Sequence, residues 1–520
     1  MQELKYWENP TIYKENKEDA HILAHPYDNF RQAVFEEEKP YKKTLNGQWK
    51  FYWQQGVDSL PDEYASVSLD DSGWDDIDVP SVWQMRGYGK NVYLCSFVPG
   101  ALSTSQKQIP KISHSKNEVG IYRRKFTVPD NFEGREVFIH FGAVKSAFFL
   151  YINGQRVGYS QGSMTPAEFN ITKYLVPGEN LVTAEVYRYS DGTYLEDQDM
   201  WFFSGIYREV YIYSEPKITI WDFYARAQLD EEYKDGKLDI EINLRNFTDG
   251  VAAAFADVLF MEDKEDPQVI GSEQIVIQPG ESYFNFSHVV PTPKHWSAET
   301  PNLYRVSVVL RGQEKIICVK SARIGFKRVE KKGNVLYING QPIIIKGVNR
   351  HDYDPDNGWA VPKQRYVADL TLMKQANINA IRTSHYPNDP ILYDMCDEMG
   401  FYVMDETDLE SHGVRRKNCP GDDPRWTGTC VDRAQRMVLR DRNHACVCFW
   451  SLGNEAGDGE NFAYMRKAIL ALDDTRLIHY EGEFDFDKSD FISRMYPVES
   501  YVEKLGNKQE IGRASCRERV

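Results

Sequence analysis

The most chemically suggestive stretch of this 520-residue chain is an apolar run that stops abruptly in a carboxylate. Trp450-Ser451-Leu452-Gly453-Asn454-Glu455 reads as a packed strand that carries Asn454 and Glu455 to its end. Cleavage of a glycosidic bond needs one carboxylic acid to protonate the leaving oxygen. With retention of configuration it also needs a second carboxylate, roughly 5–5.5 Å away, as nucleophile. Glu455 is the candidate acid/base, and Asn454 can hydrogen-bond a sugar hydroxyl next to the reacting carbon. Taken alone, a strand-end glutamate is more often a solvated or helix-capping carboxylate, so the neighbouring motifs decide its reading.

Glu410-Ser411-His412 places two ligand-type side chains two residues apart. In extended chain both project to one side and can clamp an ion. A third carboxylate near Glu455 completes a hard-cation site, Mg²⁺ most simply and Mn²⁺ as the alternative. Without that context the pair reads as a surface ion pair. His351, in Asn349-Arg350-His351, and His385, in Arg382-Thr383-Ser384-His385, each follow an expected strand and can donate hydrogen bonds to substrate hydroxyls. Arg382 suits a fork-shaped donor that holds a carboxylate in place.

The elements that must position these residues begin at Pro342, where the chain alternates β and α. Expected strands are 343–347, 379–382, 401–404, 447–452, 477–480 and 491–496, with helices 363–377, 390–399 and 461–472. Polar residues gathered just after parallel strands are the pattern of a TIM-type barrel, whose strand ends form the active face. Six strands fall short of the eight that close such a barrel, so the chain is expected to be incomplete. Upstream, residues 1–215 alternate β-branched runs with turn clusters such as Asn153-Gly154, as in an antiparallel sandwich. In that region 136–141 and 147–152 are expected as neighbouring core strands. Residues 216–325 show period-two strands suited to an immunoglobulin-like sandwich with no catalytic constellation.

Composition fits this multidomain picture, since hydrophobic residues at 42% and charged residues at 27% exclude disordered and fibrous classes. A net charge of −16 argues against nucleic acid as a partner. No apolar run is long enough for a membrane span and the amino terminus lacks a signal-type core, so a cytoplasmic protein is expected. The eight sparse cysteines read as thiols, not as disulfides or a zinc site. The last eleven residues, 510–520, have no hydrophobic period and resemble a translated sequencing adapter.

Taken in order, Ser190-Asp191-Gly192-Thr193-Tyr194-Leu195-Glu196-Asp197-Gln198-Asp199-Met200-Trp201, Asn349-Arg350-His351, Ser384-His385-Tyr386-Pro387, Asp405-Glu406, Glu410-Ser411-His412-Gly413 and Ser451-Leu452-Gly453-Asn454-Glu455 resemble the bacterial β-galactosidases of glycoside hydrolase family 2, in particular the large-subunit type of lactic-acid bacteria. The resemblance covers residues 3–509. It implies a jelly-roll sugar-binding domain (1–215), an immunoglobulin-like domain (216–325) and the first six strands of a (β/α)₈ barrel (326–509). It further implies a retaining hydrolase of β-D-galactosides such as lactose, with Glu455 as acid/base and Mg²⁺ held by Glu410, His412 and Glu455. By the same resemblance His351 and His385 stabilise the transition state, Asp191 reaches galactose and helps hold Na⁺, and Asn454 and Tyr496 contact substrate, Tyr496 beside the nucleophile. An oligomer with a separate small subunit is expected.

Three departures qualify the resemblance. The family's Cys-Glu-Tyr stretch, which carries the nucleophile, has no counterpart here, so this fragment is expected to be inactive. Residues 94–116 lose and then regain the family pattern, as a local reading-frame slip would produce, and the domains that follow the barrel are missing. The rival readings are a β-glucuronidase of the same fold, which lacks the acidic 194–199 segment, and a non-catalytic carbohydrate-binding protein that uses the first sandwich alone.

Overall fold

The structure is a computed structural model that describes residues 5–507 except 36–37, 94–97, 263–264 and 483–486. The 510–520 segment and part of 94–116 therefore lie outside the described residues.

Two sheets face each other in the first unit. One has seven strands and runs Lys14–Glu15, Gln155–Gln161, Ala147–Ile152, Glu179–Tyr187, Glu118–Thr127, Gly47–Gln55, Asp75–Val79; the other has four and runs Ala167–Asn170, Glu136–Phe141, Val210–Glu215, Lys42–Thr44. Glu136–Phe141 and Ala147–Ile152 do not pair as neighbours. They lie in opposite sheets, with Phe141 and Phe148 ring centroids 5.0 Å apart. Burial on both faces makes two facing central strands look alike in sequence, which explains the difference. The expected Asn153-Gly154 turn is present, with φ of 51° and 78°, the positive values that a tight hairpin requires.

Next come a three-stranded and a four-stranded antiparallel sheet between Ile218 and Ile324. Their period-two pattern is realised directly, since Leu238, Ile240, Ile242 and Leu244 point into one core with Val306, Val308 and Leu310.

The barrel unit is a five-stranded parallel sheet in sequential order: β1 (Gly347–Asn349), β2 (Ala380–Arg382), β3 (Tyr402–Glu406), β4 (Val447–Asn454) and β5 (Leu477–Glu481). Helices α1 (Lys363–Gln375), α2 (Pro390–Met399), α3 (Thr427–Asp441) and α4 (Glu460–Leu472) fill the crossovers. Helix α2 shows why these boundaries are sharp. Asp389 caps it by accepting from the Ile391 N–H at 3.1 Å, Pro390 opens it, and Gly400 ends it at φ 77°. Helix α3, not among the helices expected above, buries Cys430, Ala434, Met437 and Val438 on one face and Arg433, Arg436 and Arg440 beside them.

Two expectations are corrected. The first strand begins at Gly347, not Ile343, because only Gly347–Asn349 are in register with β2, and Ile344 is 76% exposed. Residues 491–496 are not a sixth strand. The edge of β5 is instead closed locally: the Asp490 N–H donates to the Ile478 carbonyl at 2.6 Å, and the Asp490 carboxylate accepts from the Ile478 N–H at 2.7 Å. That carboxylate takes the position a further strand would need.

The amino-terminal segment ties all three units together. Tyr13 accepts from the Gln161 N–H, the Glu18 carbonyl from Arg436 on α3 at 2.9 Å, and the Glu18 carboxylate from Arg245 at 2.8 Å. The Ile22 N–H donates at 2.9 Å to Asp222, which also pairs at 2.6 Å with Arg442 of the barrel unit. Removing one partner of a buried pair strands the other, at about 3–5 kcal/mol. Asp222→Ala is therefore expected to lower the unfolding free energy by about that amount in a urea titration. A change within experimental error would show that this seam carries no load.

Candidate active site

The ends of the parallel strands converge as the sequence requires. Gly453 gives β4 its close approach to the loop after β3, since a Cβ at its φ of 140° would lie 2.4 Å from the Leu409 carbonyl. Two residues on, Glu455 has φ 40°, a left-handed conformation uncommon outside glycine. It is held there by its own N–H, which donates to the Glu481 carbonyl at 2.7 Å. Such backbone placements cluster at functional sites. The Glu455 side chain is about a quarter exposed and accepts from Arg415 at 3.0 Å.

Glu410, His412 and Glu455 bring ligand atoms within 4.8 Å of one another. His412 Nε2 lies 3.4 Å from Glu455 and Nδ1 3.9 Å from Glu410. Glu410 is completely buried and neither of its oxygens accepts a well-formed hydrogen bond. Burial holds its carboxyl well above the usual range; the Asn454 amide pulls the other way, and the charges of Glu455, Asp197 and Glu406 add to the rise. A carboxylate crowded by other carboxylates lacks a counter-charge, and two carboxylates with an imidazole suit a divalent cation. A second trio, Asp397, His444 and Cys446, also lies within 4.8 Å, but its hydrogen bonds are internal: His444 donates to Asp397 at 2.7 Å and so does the Cys446 N–H. The six cysteines among the described residues are free and buried.

On the other side of the mouth, the rings of His351 and His385 meet edge to face at 5.7 Å. Burial and the neighbouring His385 push the His351 imidazole down to about 4, against the charges of Asp199 and Glu406. Arg382 forks onto Glu406 at 2.7 and 2.9 Å, as expected of it, and reaches Asn454 at 3.1 Å. Val348, Arg382, Met404, Phe449 and His479 line a cavity of about 400 Å³ on the inner face of the sheet.

Two predicted residues are not brought to this group. Asp191 is fully buried under the first sandwich, where its Oδ1 accepts from Gln161 at 2.7 Å and burial lifts its pKa to about 7. Tyr496 is 92% exposed and sits on the chain that fails to form a sixth strand. The 191–201 motif nevertheless reaches the barrel through its later acids. Glu196, with Lys145, Arg433 and Asp408, forms a buried seam with contacts of 2.7–3.3 Å. Asp197 accepts from the Gly413 N–H at 2.7 Å, and Asp199 is the acid whose charge His351 feels. Four acids in nine residues look interchangeable in sequence, and only the folded chain tells which of them is felt by His351.

The comparisons with known proteins agree with this architecture. Residues 42–216 match the sugar binding domain of glycosyl hydrolases family 2, 218–327 a further domain of that family, and 329–516 its TIM barrel domain. The chain is 39% identical over 515 residues to a beta-galactosidase of Priestia megaterium, covering 95% of this chain and 49% of the relative. It is 35% identical over 520 residues to one of Streptococcus thermophilus, covering 96% and 49%. It thus spans about half the length of these curated relatives. The solved beta-glucuronidase of Bacteroides uniformis superimposes with a TM-score of 0.72 at 22% identity, over 90% of this chain and 57% of that one, a likeness of fold. The chain belongs to glycoside hydrolase family 2.

Proposed function

We propose that this chain carries the acid/base half of the active site of a retaining β-galactosidase. The observation that supports the reading is the convergence of Glu455 with Glu410 and His412 within 4.8 Å at the strand ends. Glu455, partly exposed, donates a proton to the leaving oxygen and later accepts one from water. Asn454 and the imidazoles of His351 and His385 orient sugar hydroxyls, and Asp199 takes the sugar-facing role expected of Asp191. Glu410 cannot serve as the nucleophile, because both its oxygens are buried. We assign no nucleophile among the described residues and keep the expectation that this chain alone gives no turnover.

Glu410, His412 and Glu455 would hold a divalent cation, Mg²⁺ or Mn²⁺, which when bound supplies a fixed positive charge beside the acid/base. The Na⁺ expected at Asp191 is carried over from the resemblance alone. An oligomer with a separate small subunit is carried over from the resemblance alone, and a cytoplasmic location from the sequence reading. Among the described residues no helix is long and apolar enough to cross a membrane. Galactoside is preferred over glucuronide as substrate because the curated relatives named above are beta-galactosidases, whereas the glucuronidase likeness is one of fold.

Assayed on nitrophenyl galactoside and nitrophenyl glucuronide, the chain is expected to hydrolyse neither. Galactoside turnover within an order of magnitude of the Priestia megaterium relative would overturn the missing-nucleophile reading. Fused to the remaining half of that relative, it is expected to cleave the galactoside, and Glu455→Gln then to lower kcat by roughly 10²–10⁴-fold with KM little changed. Unaltered kcat removes Glu455 from the mechanism.

Calorimetric titration should detect Mg²⁺ or Mn²⁺ binding that Glu410→Gln abolishes, and heat unchanged by that substitution would place the cation elsewhere. His351 is expected to stay uncharged from neutral pH down to about 4. Its folded value lies below the ordinary 6.5, so the stability it contributes is complete above about 6.5 and is lost as pH falls toward 4. A histidine NMR titration with a midpoint near 6.5 would contradict this.

A further inference from the structure

Glu406, the last residue of β3, is completely buried and accepts four hydrogen bonds. Oε1 takes Arg382 at 2.9 Å and His385 Nδ1 at 2.7 Å; Oε2 takes Arg382 Nε at 2.7 Å and Ser451 Oγ at 2.6 Å. A carboxylate offers about four lone-pair sites, so none is left for substrate. Burial alone would raise its pKa, yet Arg382 and His385 hold the group well below the usual range. Glu406 is therefore a fixed anion.

Its partners extend the connection across the sheet. Arg382 passes it to Asn349 on β1 at 3.3 Å and to Asn454 on β4 at 3.1 Å. Ser451 passes it to His479 on β5 at 2.9 Å. The ends of all five strands are thus referenced to one carboxylate.

An ionised carboxylate has no proton to give, so the hydrogen-bonded Nδ1 of His385 must carry one. The ring nitrogen not engaged by Glu406 is Nε2. We propose that Glu406 is a positioning residue that locks the Nδ1–H tautomer of His385 and the orientation of Arg382, and so decides which imidazole atom meets the sugar. This deepens the proposed function and rests on its reading that His385 faces the substrate. The device is the general one in which the bond made by one ring nitrogen dictates the chemistry of the other.

The test is long-range ¹H–¹⁵N NMR of the histidine-labelled chain, with His385 assigned by its loss in His385→Gln. In the unsubstituted protein at neutral pH the Nδ1–H form, or the doubly protonated ring, is expected, and an Nε2–H neutral ring overturns the proposal whatever any variant does. Glu406→Gln, checked for folding by near-ultraviolet circular dichroism, is expected to lose the lock and show both tautomers, because an amide can donate or accept. Ser451→Ala, which removes one of the four bonds, is expected to keep it. An unchanged His385 signature in folded Glu406→Gln also overturns the proposal. Failure of the repaired enzyme to cleave galactosides would leave these resonances untouched, so the two readings fail separately.

Discussion

Two basic and two carboxyl side chains buried at one seam join the first sandwich to the barrel. Lys145 and Glu196 come from the sandwich, Arg433 and Asp408 from the barrel unit, and each is at least nine-tenths buried. Arg433 and Lys145 draw the Glu196 carboxyl down against the cost of its burial, whereas burial and the charge of Glu196 raise the Asp408 carboxyl to about 7. Charges taken this far from water persist only where geometry compensates each of them, and such a junction has one register. Once it is made, the following residues have no freedom. Asp197 must meet Gly413, Gln198 must donate to Asp408 at 3.0 Å, and Asp199 follows within charge range of His351.

The barrel rim obeys the same logic on a smaller scale. Parallel strands deliver their carboxyl-terminal ends to one side, which gathers Arg382, Glu406, Asn454 and Glu455 but also crowds like charges together. Around Glu406 the crowd is neutralised by protein donors. Around Glu410 it is not, and the donors that remain there suit a cation. One rim thus holds a carboxylate satisfied wholly by protein donors and, beside it, one whose oxygens accept no well-formed hydrogen bond.

Much of this was legible in residue order because strand ends are a position that sequence can mark. An apolar run broken by Gly453 points to Glu455, and the spacing of Glu410 and His412 puts both on one side. The histidines after β1 and β2 do meet, since parallel neighbours place equivalent residues side by side. What depends on tertiary pairing was not legible. Asp191 turns to Gln161 inside the first unit, Arg433 and Arg436 of helix α3 are buried against Glu196 and Glu18 from other units, and the Ile478 backbone on β5 is met by Asp490. Glu406 was passed over because an invisible partner set, not its neighbours in the chain, gives it its role.

The amino-terminal strap adds a temporal constraint. Its carbonyl at Glu18 is satisfied by Arg436, 418 residues further along, and its Ile22 amide by Asp222. The Glu18 contact therefore cannot form until the 418 residues up to Arg436 have been made. At ordinary elongation speeds of about 5–20 residues per second, that delay is tens of seconds, while the sandwiches form in between.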